Sequence, residues 1–240
     1  GKVRNYRVGD LVTRVGTPPL PGAGISVTWG GFAEFGVARD HWAMCADGLP
    51  QSEWGGSRMN QVVPTGIDPR TAPMFTTWRE TLSYVTRMGV QSGSRVLVMG
   101  SGGNGLAFAA HAVLLGATPV AMVGAERLRA IAGKAGITHY FDYLRKDLTA
   151  EIQKVCPNGF DVIIEAVGRK GQIDRVLPCL APNGKAGIYG IDDLGQVTIN
   201  PGLARGTFTI WSGGYDEAET HQRVSEWVLQ GKLDAGLWYD

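Results

Sequence analysis

The stretch Arg95-Val-Leu-Val-Met-Gly-Ser-Gly-Gly-Asn-Gly105, followed directly by Leu106-Ala-Phe-Ala-Ala-His-Ala-Val-Leu-Leu-Gly116, decides the fold of this chain. The apolar run Val96–Met99 has the length and composition of a strand buried on both faces of a parallel sheet. The segment 106–116 is apolar on nearly every side, which predicts a buried helix. The sequence therefore predicts a strand, a tight glycine-rich turn and a helix in direct succession.

The turn between this strand and helix fits the spacing G-x-G-x-x-G with Gly100, Gly102 and Gly105. The first glycine permits the tight turn, the second lets the backbone approach a pyrophosphate, and the third lets helix and strand pack closely. A lone G-x-G-x-x-G is weak evidence, but the run 118–123 supplies the second strand of a βαβ unit. Because the first N–H groups of a helix attract phosphate, this context predicts a dinucleotide site.

The composition limits the class of protein. In 240 residues, 44% are hydrophobic and 19% are charged, which is ordinary for a globular protein. Lys and Arg total 23 against 22 Asp and Glu, so no strong field favours nucleic acid or anionic lipid. No apolar run approaches the length of a membrane span, and the N-terminus does not resemble a signal peptide. We expect a reducing, cytoplasmic setting, since the three cysteines are too scattered for a disulfide framework.

Three segments follow from the pattern along the chain. Residues 1–70 are predicted to be rich in strands and turns, with a half-buried strand at 31–38. Residues 71–212 alternate between helix and strand, which predicts an α/β, doubly wound parallel sheet of about six strands. The strands are expected at 95–99, 120–123, 139–141, 160–165, 185–190 and 207–211, and the helices at 73–88, 106–116, 126–135, 148–155 and 172–180. Residues 213–240 are expected to hold one amphipathic helix that returns toward the first segment.

Several motifs resemble the medium-chain dehydrogenase/reductase superfamily, which includes zinc alcohol and polyol dehydrogenases and zinc-free quinone and enoyl reductases. They are Val8-Gly-Asp-Leu-Val12, Gly30-Gly-Phe-Ala-Glu-Phe35, the glycine turn 93–105, Gly159-Phe-Asp-Val-Ile-Ile-Glu-Ala-Val-Gly168 and Asn183-Gly-Lys-Ala-Gly-Ile-Tyr-Gly190. They occur in the family's order and cover nearly the whole chain. The resemblance implies a Rossmann domain at 71–212, preceded by part of a β-rich GroES-like substrate domain, in a chain that is incomplete at both ends.

The resemblance also implies an activity and a set of coenzyme contacts. Intact relatives move a hydride between nicotinamide and an alcohol or carbonyl carbon, so we expect an NAD(P)-dependent oxidoreductase with a small-molecule substrate. Coenzyme-binding residues are expected at Gly100, Ser101, Gly102, Gly103, Asn104, Gly105, Gly124, Arg127, Val167, Gly168, Tyr189, Gly190, Ile191 and Trp211. For Trp211, core packing is the alternative. Thr76 and Thr77 lie where the family places a threonine near the nicotinamide, but no catalytic residue can be assigned.

The metal ligands of the family are missing from this sequence. The segment that carries the catalytic Cys and the His-Glu pair in relatives would precede residue 8, and the interval 13–29 holds no structural-zinc cysteines. His41 and Cys45 give at most two ligands, whereas zinc takes three or four from the protein. We therefore expect no zinc in this chain, and three readings stay open: an alcohol dehydrogenase core, a zinc-free quinone or enoyl reductase, and a non-catalytic dinucleotide-binding fragment.

The choice between NAD and NADP depends on the end of the second strand. An acidic residue there binds the ribose 2′-hydroxyl of NAD and repels the 2′-phosphate of NADP. Gly124 occupies this position, which favours NADP with Arg127 or Arg129 as the phosphate partner. The alternative is that Glu126 takes the role of the acid. If Gly124 sets the preference, Gly124→Asp should reverse it.

The remaining conspicuous residues are interpreted as structural. His111 lies within the apolar helix and is expected to be packed, and Cys156 and Cys179 have no neighbouring His that would activate a thiol. An apolar edge left by missing strands would favour self-association, so we expect a homo-oligomer. Because the metal ligands are missing, no Ser-His-Asp or Cys-His set replaces them and one wall of the cleft is incomplete, we expect little turnover from the 240-residue chain alone.

Overall fold

The computed structural model describes residues 3–14, 22, 36–190 and 196–239. The chain divides into two compact units. The first unit contains residues 1–80 and 216–235, and the second, the sheet unit, contains residues 81–215 and 236–240.

The sheet unit is built on six parallel strands in the order β3-β2-β1-β4-β5-β6. The strands are β1 (Val96–Met99), β2 (Val120–Gly124), β3 (His139–Asp142), β4 (Phe160–Glu165), β5 (Leu180–Ile188) and β6 (Thr209–Trp211). The chain builds outward from β1 to β3, then returns to place β4 on the other side of β1. This reversal creates a crevice above the carboxyl ends of β1 and β4, where open α/β sheets bind their ligands. The predicted doubly wound fold is confirmed.

Helices connect these strands, as parallel pairing requires. They are α4 (Gly103–Leu114), α5 (Arg129–Lys134), α6 (Leu148–Val155) and α7 (Gln172–Val176), with 3₁₀ turns at Glu126–Leu128, Leu177–Cys179 and Pro201–Leu203; helix α3 (Met74–Arg87) precedes β1. Every residue of α4 from Gly105 to Ala112 is buried, including His111. This explains why the sequence of these eight residues is apolar on all sides: this part of the helix has no face that meets water.

Strand β1 lies at the centre of the sheet, and all four of its residues are buried. Its register pairs Val96 with Val120 on one side and with Val162 on the other. Branched apolar side chains on three adjacent strands therefore form the core beneath the crevice. Burial of each contributes about 1.5–3 kcal/mol, which fixes the glycine turn at the end of a rigid strand.

The first unit contains helices α1 (His41–Ala46), α2 (Gln51–Trp54) and α8 (Glu217–Leu229), and a 3₁₀ turn at Gly55–Ser57. Its described residues include an isolated antiparallel bridge between Val12 and Val62. The strand expected at 31–38 falls almost entirely outside the described residues, so it stays a prediction. The first turn of α8 carries Glu217, which accepts a hydrogen bond of 2.7 Å from the fully buried Arg79.

Among the described residues, no helix has both the length and the apolar character needed to cross a bilayer.

Candidate dinucleotide site

The turn after β1 shows a separate physical reason for each of its three glycines. Gly100 has a φ of +119°, a conformation that residues with a Cβ rarely adopt. Gly105 packs so closely that a Cβ there would lie 2.1 Å from the carbonyl oxygen of Gly100. Gly102, in contrast, has an extended backbone, and a Cβ there would meet no atom within 4 Å. Gly100 and Gly105 are therefore required by the backbone conformation and by packing, whereas Gly102 faces open space.

That open space lies at the N-terminus of α4. Gly102 is the N-cap residue of this helix, and it provides no side-chain hydrogen bond to the first turn. The first N–H groups of an α-helix have no partner within the helix, and its dipole places partial positive charge there. A twelve-residue helix with an uncapped N-terminus beside an open backbone is suited to a phosphate group.

At the end of β2, Gly124 is enclosed by two side chains. A Cβ at Gly124 would lie 2.2 Å from the Cβ of Ser101 and 2.4 Å from the hydroxyl of Tyr140. The Ser101 hydroxyl accepts a hydrogen bond of 3.0 Å from the Ala125 N–H, and the Tyr140 hydroxyl donates one of 2.7 Å to the Ala125 carbonyl. Packing alone thus requires glycine at 124. A side chain at position 124 would have to displace Ser101 or Tyr140, so Gly124→Asp would disturb the end of β2; its expected effect on coenzyme preference stays a prediction.

The charged residues after β2 differ in their ion pairs and hydrogen bonds. Glu126 accepts two hydrogen bonds from Arg129, of 2.6 and 2.8 Å, and these bonds hold the pKa of the Glu126 carboxyl below its ordinary value. Arg129 also donates to the Tyr140 carbonyl at 2.7 Å. Arg127 is exposed and makes no ion pair with any described residue. Of the two arginines expected to contact a 2′-phosphate, Arg127 is the one whose charge is uncommitted.

Glu165 holds the turn that follows β4. One of its carboxylate oxygens accepts hydrogen bonds from the N–H groups of Val167 and Gly168, at 2.7 and 2.9 Å. Its backbone carbonyl accepts from the N–H groups of Tyr189 and Gly190, at 2.9 and 3.0 Å. A single residue therefore fixes the carboxyl ends of both β4 and β5.

Gly190 and Gly168 are in direct backbone contact at this edge. A Cβ at Gly190 would lie 1.9 Å from the nitrogen of Gly168, and Gly168 itself has a φ of +83°. On the other side of Gly168, the Val167 side chain lies 3.1 Å from where a Cβ on Gly100 would stand. The structure thus brings Gly100, Val167, Gly168 and Gly190 to one edge of the sheet.

Tyr189 lies in an aromatic cluster below this edge. Its ring meets those of Phe108 and Tyr84 edge-on, with centroids 4.7 and 5.4 Å away. Its hydroxyl accepts a long hydrogen bond of 3.4 Å from the amide of Asn104 in the first turn of α4. Burial raises the pKa of Tyr84 above its ordinary value, so its phenol stays protonated. Asn104 and Tyr189, two residues expected to contact coenzyme, are therefore adjacent.

The other predicted site residues are less closely connected to this edge. Trp211 ends β6, and its ring lies 6.0 Å from the ammonium of Lys185. Thr76 and Thr77 lie in the first turns of α3, within the first unit. Ile191 lies outside the described residues.

The candidate metal ligands are dispersed. His41 is buried in α1 and stacks on Trp42, whereas Cys45 is exposed. Burial raises the pKa of the Cys156 thiol and raises that of Cys179 to about 12, so both stay protonated. In the described part of the chain, no three His, Cys, Asp or Glu side chains group as metal ligands would. The described residues do not fit a zinc ion, and no reaction step is assigned to one.

Sequence reasoning missed three residues at this site: Tyr140, Glu165 and Trp238. The indole N–H of Trp238 donates a hydrogen bond of 2.9 Å to the carbonyl of Gly103 in the first turn of α4. Glu165 had a local signal, because it ends a buried strand with a carboxylate that needs partners. Tyr140 and Trp238 reach the site from distant positions in the sequence.

Residues 103–228 match the family model described as zinc-binding dehydrogenase, which covers more than half of the chain. The chain belongs to the zinc-binding dehydrogenase family. This membership confirms the resemblance to the medium-chain dehydrogenase/reductase superfamily.

Two curated proteins similar to the chain are named as dehydrogenases. The chain is 26% identical over 176 residues to sorbitol dehydrogenase from Bacillus subtilis, covering 72% of the chain and 50% of the relative. It is 30% identical over 148 residues to L-threonine 3-dehydrogenase from Pyrococcus horikoshii, covering 60% of the chain and 42% of the relative. The chain spans about half the length of the curated relatives it matches.

A solved structure supports the fold. The zinc-binding dehydrogenase described from Sinorhizobium meliloti, bound to NADP, is similar with a TM-score of 0.62 and 20% identity, covering 78% of this chain and 63% of that one. At this identity the likeness concerns the fold alone.

Proposed function

We propose that this zinc-binding dehydrogenase family chain forms the coenzyme-binding part of an NAD(P)-dependent oxidoreductase acting on an alcohol or carbonyl compound. The observation that carries the proposal is the open backbone of Gly102 at the uncapped N-terminus of α4. It lies at the carboxyl end of β1, beside the point where the strand order reverses.

The residues of the sheet unit have distinct tasks in this proposal. The N–H groups of the first turn of α4 bind the pyrophosphate, and Gly102 lets it approach. Asn104, Tyr189 and Gly190 form the wall for the nicotinamide end, and Glu165 holds that wall in place through hydrogen bonds to the residues that follow β4 and β5. When bound, the nicotinamide supplies the hydride acceptor or donor, and the protein supplies orientation.

The reaction class follows from this chemistry. Oxidation of an alcohol moves one hydride from its carbon to the oxidised coenzyme and releases the hydroxyl proton, leaving a carbonyl. Catalysis depends on holding the two reacting carbons about 3–3.5 Å apart. No side chain of the described residues is assigned to the proton transfer.

We propose that NADP is preferred over NAD. The support is electrostatic: the end of β2 carries no free carboxylate, because Arg129 holds Glu126 in a two-point ion pair. The neighbouring Arg127 is exposed and able to pair with a 2′-phosphate. In this proposal Glu126 serves to hold Arg129 rather than to bind a ribose hydroxyl.

The experiment that tests the activity follows nicotinamide absorbance. The chain is mixed with NADP and primary, secondary and polyol alcohols, and in separate reactions with NADPH and aldehydes, ketones, quinones or enones. Turnover with an alcohol or its carbonyl product supports the proposal, whereas turnover confined to quinones or enones assigns the chain to the reductase branch. If NADPH binds and no substrate class turns over, the oxidoreductase activity of this chain is contradicted while coenzyme binding stands.

A further inference from the structure

Trp238 lies beside the glycine turn although it is far from that turn in the sequence. Its segment, Gly236–Asp240, belongs to the sheet unit. The indole N–H bonds to the carbonyl of Gly103 at 2.9 Å, and the indole Cδ1 lies 3.6 Å from where a Cβ on Gly103 would stand. The side chain is half-buried, so one part of the ring rests on the protein and another faces solvent.

The orientation of the ring matters because the two sides of an indole differ in charge. The edge of an aromatic ring is electropositive and its face is electronegative. The hydrogen bond to Gly103 turns the Nε1–Cδ1 edge toward the first turn of α4, next to the open space at Gly102. The electropositive edge of the indole is thus fixed against Gly103, the first residue of α4.

The indole also limits water at this point. Gly103 is partly covered by the ring, whereas Gly102 beside it has no atom within 4 Å of its would-be side chain. Hydrogen bonds from the helix to a bound anion strengthen where water is excluded. The ring thus packs on Gly103 and leaves the side of Gly102 open.

We propose that Trp238 is a coenzyme-contact residue that forms a side wall of the pyrophosphate site. This inference rests on the proposed coenzyme site and adds to it a residue outside the βαβ unit. The bond to Gly103 fixes the indole, and the fixed indole packs against the pyrophosphate and shields its hydrogen bonds to α4.

Two variants and one matched control test the proposal by calorimetric titration with NADPH. Trp238→Ala removes both the ring and its bond, and Trp238→Phe keeps an aromatic ring but removes the bond. Trp54 is the control because its indole N–H makes an equivalent bond of 3.0 Å to the Leu49 carbonyl within the first unit. We expect Trp238→Ala to weaken NADPH binding by about ten-fold, Trp238→Phe to weaken it less, and Trp54→Phe to leave it unchanged.

A second measurement follows NADPH binding to the wild-type chain, so its result does not depend on how tightly a variant binds NADPH. In protein labelled with 5-fluorotryptophan, the fluorine resonance missing from Trp238→Phe belongs to Trp238, and the one missing from Trp54→Phe belongs to Trp54. The Trp238 resonance should shift on addition of NADPH while the Trp54 resonance stays in place. A merely structural role for Trp238 would not produce this shift.

The possible outcomes separate this inference from the proposed function. If the wild-type chain does not bind NADPH, the proposed function fails and the inference fails with it. If the wild type binds NADPH while the Trp238 resonance stays in place and Trp238→Ala binds as tightly, the coenzyme site stands and the role of Trp238 is overturned.

Discussion

A Cβ atom at Gly105 would lie 2.1 Å from the carbonyl oxygen of Gly100, so β1 and α4 meet at these residues through backbone alone. The contact holds the N-terminus of α4 directly above the end of the central strand. The position of the proposed phosphate site therefore depends on Gly105, which packs against β1 and does not face the site.

Replacing Gly105 with Ala should destabilise the sheet unit. The added methyl cannot avoid the Gly100 carbonyl without separating α4 from β1, and overpacking of this kind costs about 1–3 kcal/mol. The measurement is the free energy of unfolding in urea. Gly133→Ala is the matched control, because Gly133 lies within α5 with no atom near its would-be side chain. That change should stabilise the protein by about 0.5–1 kcal/mol, and equal effects at both positions would contradict the account.

Gly124→Asp should weaken the binding of both NADPH and NADH, rather than reverse the preference between them. Its side chain would overlap Ser101 and the Tyr140 hydroxyl, so the end of β2 must shift. Calorimetric titration measures the affinity of the variant for each coenzyme, and a melting curve measures its stability. Tighter NADH binding with an unchanged melting temperature would show that position 124 accepts a carboxylate after all.

Glu126→Gln tests how charge in the turn after β2 sets the preference for NADP over NAD. Removing the carboxylate releases Arg129, so NADPH should bind about two- to five-fold more tightly, the scale of an exposed ion pair. NADH, which lacks the 2′-phosphate, should bind as before. Glu151→Gln is the control, since Glu151 forms a comparable exposed pair with Lys154 in α6. Weaker NADH binding in Glu126→Gln would instead assign Glu126 to the ribose hydroxyl.

Protonation of Asp40 in acid should make the first unit less stable. Burial alone would raise the pKa of its carboxyl, but N–H hydrogen bonds from Arg4, Ala43 and Asn5 outweigh burial and lower the pKa to about 2. A carboxyl whose pKa is lower in the folded state than in the unfolded state stabilises the fold above its unfolded pKa, about 3.9 for Asp. That stability is lost as pH falls toward 2.

The Asp40→Asn variant measures this dependence. Its melting temperature should lie below that of the wild type at neutral pH, and the two should converge between about pH 4 and pH 2. A constant difference across this range would show that the carboxylate charge contributes nothing.

The sequence predicted the features that depend on local pattern. The apolar run before Gly100 became a buried strand, and the three glycines have the spacing that the turn requires. Strand β5, expected from Lys185, begins at Leu180 instead and carries a register shift against β4. Pro182 and Asn183 are residues that strands disfavour, but an irregular strand accommodates them here.

The features that the sequence did not reveal depend on distant contacts. The packing of Tyr140 on Gly124 joins two adjacent strands, and Trp238 reaches Gly103 across most of the chain. Residues 47–60 are polar and glycine-rich, which predicts an exposed excursion of the chain, yet they include α2 and the buried Ser57 and Asn60. The small polar residues of this stretch give no period from which their burial could be predicted.

The most direct test of the central claim is a titration of the wild type, Gly102→Val and Gly133→Val with NADPH. The extended backbone of Gly102 accepts a branched residue and its side chain meets open space, so the variant should fold. The added atoms would occupy the volume proposed for the pyrophosphate and should weaken binding by about 100-fold or more, roughly 2.7 kcal/mol. Gly133→Val, which adds the same atoms to another open glycine, should bind as the wild type does. Unchanged affinity in Gly102→Val would mean that this turn does not hold the pyrophosphate.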